Sequence, residues 1–433
     1  MIPRISTGPL LAGILCLWAA NASAQQQMAP TPAAPAPAAM PAPATPAPAA
    51  ALPPGSPLIG RPENNEAAAK LAPVAPPPLA TAADKIQVDQ LKAPKGFSIE
   101  LYASGMPNAR SLALGDKGTV FVGSRLQDKV YAIVDKNGKR EAKVLVSGLY
   151  RPNGVAFKNG TLYIAELSQI SKIDNVEDKL DSSPKPTVIY SDLPKDEAHG
   201  WKFLAIGPDK RLYFNVGAPC NICMPPPTNA QLRSIATDGS DAQIIAHGIR
   251  QVVGMDFNPT SKVLYFTENQ RDWLSEDEPQ DKLNRLLNPG KDNFGFPYCD
   301  GGNIEDPQFG WGHSCKEFTK PIAQLGPHTA PLGMRFYTGH KFPAKYHGAI
   351  FMARHGSWNK SSKIGGDIYV VYLNKDGTVK SQEPFITGFI QNNNYIGRPA
   401  DVMNMPDGSM LISDDFNGAV YRVTYGTKTV AGR

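Results

Sequence analysis

From about residue 85 onward the chain alternates short apolar runs with turns rich in Gly, Asp, Asn and Pro, and no stretch carries the 3.6-residue apolar spacing of a long helix. One unit recurs six times: an apolar run, a tight polar turn, then a second run rich in aromatic or β-branched residues. Four copies are close: Leu112–Val122, Val155–Ile164, Leu204–Phe214 and Met255–Phe266. Two are looser, one joining Met334–Gly339 to the run at 348–352 and one spanning Val402–Ile412. Their starts lie 43, 49, 51, 79 and 68 residues apart. That spacing suits one four-stranded unit per copy, with long insertions in the later ones. A single unit leaves an apolar face uncovered, so the six must close on one another. The expected fold is all-β, a six-bladed β-propeller over 85–433. The Gly-Pro-Asp and Pro-Asp-Gly elements inside the copies are turn chemistry and report fold alone.

The chain ahead of the repeat has a different texture. Arg4, an apolar run from Pro9 to Ala20 and the small residues Asn21-Ala22-Ser23-Ala24 form the pattern of a cleaved export signal over 1–24. The run is too short to span a bilayer comfortably. Residues 25–84 are dominated by Pro and Ala and contain no aromatic residue. Such a segment cannot offset its ordering entropy by burial, so a disordered, polyproline-like linker is expected. The mature protein is then periplasmic or secreted.

Export changes how the cysteines read. Five are present, and removal of 1–24 takes Cys16 away. The remaining four form two local pairs, Cys220 with Cys223 and Cys299 with Cys315, which an oxidising compartment favours as disulfide staples. A four-cysteine zinc site is the competing reading, and the wide spacing of the second pair argues against it. The net charge of +5 is not gathered into basic runs, which argues against a nucleic-acid partner.

Pseudo-symmetry ties the repeat to chemistry, because residues just upstream of each inner strand must project onto one end of the channel. There stand Arg110, Asn153, His199 with Trp201 and Lys202, Arg250, His328, and Arg398 with Asp401. Arginines and imidazoles dominate this set, which suits a planar polyanion held by guanidinium forks.

The stretch Ala198-His199-Gly200-Trp201-Lys202-Phe203-Leu204-Ala205-Ile206-Gly207-Pro208-Asp209 resembles the catalytic-histidine segment of soluble glucose and sorbosone dehydrogenases that use pyrroloquinoline quinone (PQQ). Seven further segments match in order, among them Arg151-Pro152-Asn153-Gly154, His247-Gly248-Ile249-Arg250, Phe266-Thr267-Glu268-Asn269-Gln270-Arg271-Asp272-Trp273, His355-Gly356-Ser357-Trp358-Asn359 and Gly397-Arg398-Pro399-Ala400-Asp401. The resemblance covers roughly 95 to 425 and is closest to the sorbosone dehydrogenase-like branch. In the glucose branch Arg-Asn-Pro-Gln-Gly stands where this chain has Arg250-Gln251-Val252-Val253-Gly254, so glucose is not the implied substrate.

What the resemblance implies is specific. His199 is the general base, taking a hydroxyl proton from the sugar. Arg250 and Arg398 hold cofactor carboxylates or quinone oxygens, with Arg110, Asn153 and Asn269 adding polar contacts. Trp201 and Trp358 cover the ring, and His328 and His355 line the site. Calcium is held by backbone carbonyls of the segment containing Gln270 and Arg271, supported by the acidic stretch 272–281. The calcium polarises the quinone C5 carbonyl, which accepts the sugar's C1 hydride. Without a CxxCH haem site, electrons leave to an external acceptor such as a quinone or cytochrome. Two other functions fit a propeller: a metal-dependent lactonase using Asn153, Glu166, Asn269 and Asp401, and a non-catalytic binding module.

Overall fold

A computed structural model describes residue 52 and residues 56–62 and 66–426. The signal peptide expected at 1–24 lies outside the described residues, as does most of the linker expected at 25–84.

Six four-stranded antiparallel sheets stand around a central axis. Their inner strands are Ala109–Leu114, Gly154–Lys158, Leu204–Ile206, Gly254–Phe257, Pro331–Phe336 and Pro399–Asn404, one at the head of each sequence repeat. Each packs against the next and the sixth against the first, which closes the ring. The expected six-bladed propeller is the observed fold.

Close approach at the axis explains two glycines. A Cβ on Gly254 would stand 2.0 Å from the Leu332 carbonyl oxygen, and one on Gly333 would stand 2.0 Å from Asp401 Oδ1. Only glycine lets neighbouring inner strands converge this tightly.

Between the blades lie apolar clusters, such as Leu112, Val122, Tyr131, Leu411 and Val420 between blades 6 and 1. Blade 6 takes its outermost strand, Phe97–Ala103, from ahead of the first blade, and this strand pairs with Ala419–Tyr425 from Phe97 opposite Tyr425 onward. Phe97 meets Phe342, Tyr346 and Phe385 edge-on at ring distances of 4.9 to 5.5 Å. The first and last strands of the propeller are thereby joined in one sheet, which closes the ring.

The 79-residue spacing has a visible cause. In blade 4 the third strand, Gln280–Leu286, and the fourth, Ala323–Pro327, are separated by a long insertion. It carries a small hairpin, Cys299–Asp300 with Ile304–Glu305, and the Cys299–Cys315 disulfide. Cys220 and Cys223 form the second disulfide. Both expected staples are present, and the zinc reading falls with them.

Candidate active site

Two sequence registers converge on one channel mouth. The first lies just before or at the start of each inner strand and supplies Arg110, Arg250 and Arg398. The second is the residue that follows the second strand of each blade: Arg125, Glu166, Gly217, Asn269, His355 and Asp415. In an antiparallel hairpin the beginning of one strand lies beside the end of the next, so both registers must face the same end of the ring.

Here a chamber of about 190 Å³ is lined by Arg110, Arg125, His199, Trp201, Arg250, Asn269, Gln270, Asp272, Asp281, His355, Trp358 and Arg398, among others. A second cavity of about 410 Å³ adjoins it, lined by Arg151, Glu197 and Asn221 together with His199, Trp201 and Arg250.

One side of the chamber is cationic. Asp415 is the carboxylate that engages its side chains: it accepts a hydrogen bond from His355 Nε2 at 2.8 Å and stands 3.5 Å from Arg110 Nη1. Burial would raise this acid, yet His355, Arg110 and Arg398 hold it far below the ordinary range. His355 is pushed down to about 3 by burial and by Arg398, so its ring is neutral at ordinary pH. Arg398 is pinned by carbonyls, donating to His355 at 3.2 Å and Gly356 at 2.8 Å. Arg110 Nε and Nη1 are buried without a hydrogen-bond partner. Arg125 lies 3.7 Å above the Trp201 ring, its Nε also unpartnered. Burial and the nearby Arg110 lower its pKa to about 9. Three arginines around one carboxylate leave charge that an anionic ligand can satisfy.

The other side is rich in oxygen. Asp281 accepts from the Gln270 and Ala330 backbone N–H groups at 2.8 Å each. Asp272 accepts from Asn359 Nδ2 at 2.7 Å and Arg250 Nη2 at 3.3 Å. Burial raises both acids, Asp281 to about 6. Asn269 Oδ1 and Asn359 Oδ1 are buried without a donor. Among the described residues none donates to the Gln270 or Arg271 carbonyl. Carboxylates, amide oxygens and free carbonyls in one place make a donor set that a hard cation fits.

His199 stands where the chamber and the outer cavity meet. Its backbone is left-handed, φ 51°, an uncommon conformation for a residue with a Cβ. Nδ1 lies 2.8 Å from the Ala218 carbonyl oxygen, an acceptor, so Nδ1 carries the proton and Nε2 is the free, basic nitrogen. Burial and the Arg250 charge hold its pKa well below the usual imidazole value, which keeps the ring unprotonated. By contrast both nitrogens of His328 are engaged, with Ser275 O at 2.7 Å and Asn359 Nδ2 at 3.2 Å.

The sequence expectations sort accordingly. His199, Arg110, Trp201, Arg250, Asn269, His355, Trp358, Arg398 and Gln270 all line the chamber. Asn153 is not among them: its Nδ2 donates to the Lys202 carbonyl at 2.8 Å, tying blade 2 to blade 3, while its Oδ1 is buried without a partner. Arg271 sends its side chain to Asp306, leaving only its carbonyl for the metal role. Arg250 is already bracketed, by the Asn221 carbonyl at 2.8 Å, Asn221 Oδ1 at 2.9 Å and Asp272.

The lactonase set does not converge. Glu166 accepts from Tyr150 N and Gln169, Asp401 from Leu112 N and Arg335, and neither reaches the chamber. Arg125 and Asn359 were missed by the sequence reading, although the register that follows each second strand would have flagged Arg125.

A family model described as TrAA12-like matches residues 91–426. The chain belongs to the TrAA12-like family. An uncharacterized protein of Borreliella burgdorferi is 32% identical over 351 residues, covering 77% of this chain and 91% of that protein. Among solved structures, the holo form of the PQQ domain of pyranose dehydrogenase from Coprinopsis cinerea is 19% identical, with a TM-score of 0.65 over 77% of this chain and 97% of that one. The calcium structure of a family AA12 carbohydrate-active enzyme from Trichoderma reesei is 18% identical, with a TM-score of 0.66 over 78% and 97%. The apo soluble aldose sugar dehydrogenase of Escherichia coli is 18% identical, with a TM-score of 0.57 over 76% and 99%. These likenesses show that the TrAA12-like propeller is shared. The family match begins after the segment at 56–81.

Proposed function

We propose that this TrAA12-like chain is a PQQ- and calcium-dependent oxidoreductase that converts an aldose or sorbosone-like aldehyde sugar to the lactone or acid, with His199 as general base. The observation that carries this reading is the His199 imidazole, held neutral with Nε2 free at the junction of a charged chamber and an outer cavity. The outer cavity of about 410 Å³ has room for a sugar ring, and Arg151, Glu197 and Asn221 offer it polar contacts.

Arg110, Arg125 and Arg398 would hold the acid groups of PQQ, and Trp201 and Trp358 would flank its rings. The Gln270 and Arg271 carbonyls, with Asp272 and Asp281 beside them, would hold calcium. When bound, PQQ with its calcium supplies the two-electron acceptor for the sugar's hydride. The chain's own part is to orient the sugar in the outer cavity and to receive its hydroxyl proton on His199 Nε2. Ala218 fixes the tautomer that makes this possible. Electrons then pass to an external acceptor.

The signal-like N-terminus supports a periplasmic or secreted location. No helix among the described residues is long and apolar enough to cross a membrane.

The test is reconstitution of the full chain with PQQ and calcium, followed by reduction of an artificial dye with a panel of aldoses and sorbosone. Dye reduction in the wild type and its loss in His199→Ala are expected. No reduction with any sugar overturns the reading, and PQQ-free hydrolysis of lactones would replace it.

A further inference from the structure

Residues 56–62 and 66–81 precede the family match that begins at 91, and some of them touch the chamber. Pro57, Pro73 and Val74 form part of the chamber's lining, and Ser56 and Pro57 part of the outer cavity's. The contacts reach both sides of the site. On the oxygen-rich side, Trp273 Nε1 donates to the Pro57 carbonyl at 3.0 Å. On the cationic side, Arg398 Nη1 donates to the Val74 carbonyl at 3.2 Å. Further along, Gln127 Nε2 donates to the Pro78 carbonyl at 3.4 Å. Thr81 anchors the end, its N–H donating to Asn417 O and its Oγ1 to Asn417 Oδ1, both at 2.9 Å.

Proline-rich backbone is suited to this. It has few N–H groups of its own and leaves its carbonyls free for donors on the propeller.

We propose that this segment is an intramolecular plug that occupies the cofactor chamber and is displaced when the cofactor enters, an inference that rests on the PQQ reading above. Two observations support it. With Pro73 and Val74 in place the chamber measures about 190 Å³, below the roughly 300–1,000 Å³ of ordinary small-molecule sites. Withdrawal of Pro73 and Val74, which come from outside the propeller repeats, would enlarge the chamber for a rigid tricyclic acid. Second, Arg398 serves both: the guanidinium that would grip a cofactor carboxylate donates to Val74. A carboxylate is a stronger acceptor than a carbonyl, so loading the acid weakens the hold on the plug.

Coupling follows from that competition. If the open form is a minor population, the apparent cofactor affinity is lowered by its fraction. Loosening the plug then tightens PQQ binding and speeds its association.

Hydrogen exchange on the full-length protein tests this directly. The Thr81 N–H, which donates to Asn417 O, is followed first without PQQ, then with it. Protection without PQQ that falls on adding PQQ is the expected result. Exchange at the unprotected rate without PQQ, or protection that rises with PQQ, overturns the plug.

A variant carrying Pro76→Gly, Pro77→Gly, Pro78→Gly and Thr81→Val supplies the second readout. Its PQQ association rate should be about tenfold faster than wild type, and an unchanged rate overturns the proposal. Failure of both proteins to bind PQQ in the presence of calcium refutes the cofactor reading and with it the displacement by PQQ. The exchange measurement without PQQ still reports on closure by itself.

Discussion

The two sides of the chamber differ in what each lacks. Blades 1, 5 and 6 contribute Arg110, Arg125, His355 and Arg398 around the carboxylate of Asp415, with Asp414 behind Arg398, so cation outnumbers anion. Blade 4, with Asn359 from blade 5, contributes Asp272, Asp281 and unpartnered amide oxygens, with Arg250 already committed to Asp272 and Asn221. Each side alone is a buried charge imbalance, which is costly. Set across one channel they form a bipolar site, which a polyacid and a hard cation fill together. The comparison teaches that the chamber is built for a pair of ligands, with His199 placed between it and the outer cavity.

The largest effect should come from the residue that belongs to neither side. His199→Ala should lower the rate of sugar oxidation by about 10²- to 10⁴-fold, the usual contribution of a general base. PQQ binding, followed by absorbance, should be nearly unchanged. If binding collapses along with rate, the residue holds cofactor instead of moving a proton.

Next, Asp281→Asn should weaken calcium binding by about 10- to 100-fold, the cost typical of disturbing a metal's surroundings. Calcium titration by calorimetry reads this, and the same variant should leave the cationic side intact. Arg110→Lys does the reverse: it keeps a charge but loses the guanidinium fork, so PQQ affinity should fall about tenfold while calcium affinity stays the same. Equal loss of both ligands in both variants would erase the distinction between the two sides.

A further effect is on stability. His355 has a folded pKa of about 3, below the 6.5 of a free imidazole, so the unfolded chain binds this proton first. Stability is therefore flat above pH 6.5 and declines as pH falls from 6.5 toward 3, by at most about 1.4 kcal/mol per pH unit from this group. Melting curves at pH 7 and 4.5 should show the decline in wild type and a shallower one in His355→Gln. The same slope in both would assign it elsewhere.

How much of this was legible in the sequence follows from where each signal lives. The six blades were readable because the turn between the first two strands is local, as in Gly207-Pro208-Asp209. The closing strand Phe97–Ala103 was not, since its partner Ala419–Tyr425 lies at the far end of the chain and nothing in either segment names the other. Arg110, Arg250 and Arg398 were found because they precede inner strands. Arg125 and Asp415 sit one residue past second strands, a register that becomes visible only when the hairpins are aligned. Position places Asn153 near the mouth, yet its Nδ2 is bonded to the Lys202 carbonyl and the residue does not line the chamber. The Pro/Ala composition of 25–84 reports that the segment cannot form a core. It is silent on carbonyls that a neighbouring arginine or indole can hold, and Val74 and Pro57 act through those.

The central claim is that one chamber binds an acid and a cation cooperatively. PQQ affinity of the full-length protein, titrated with calcium and again with a chelator, tests it most directly. The account predicts at least about tenfold tighter PQQ binding with calcium, a coupling of about 1.4 kcal/mol. Equal affinity in the two titrations would contradict it.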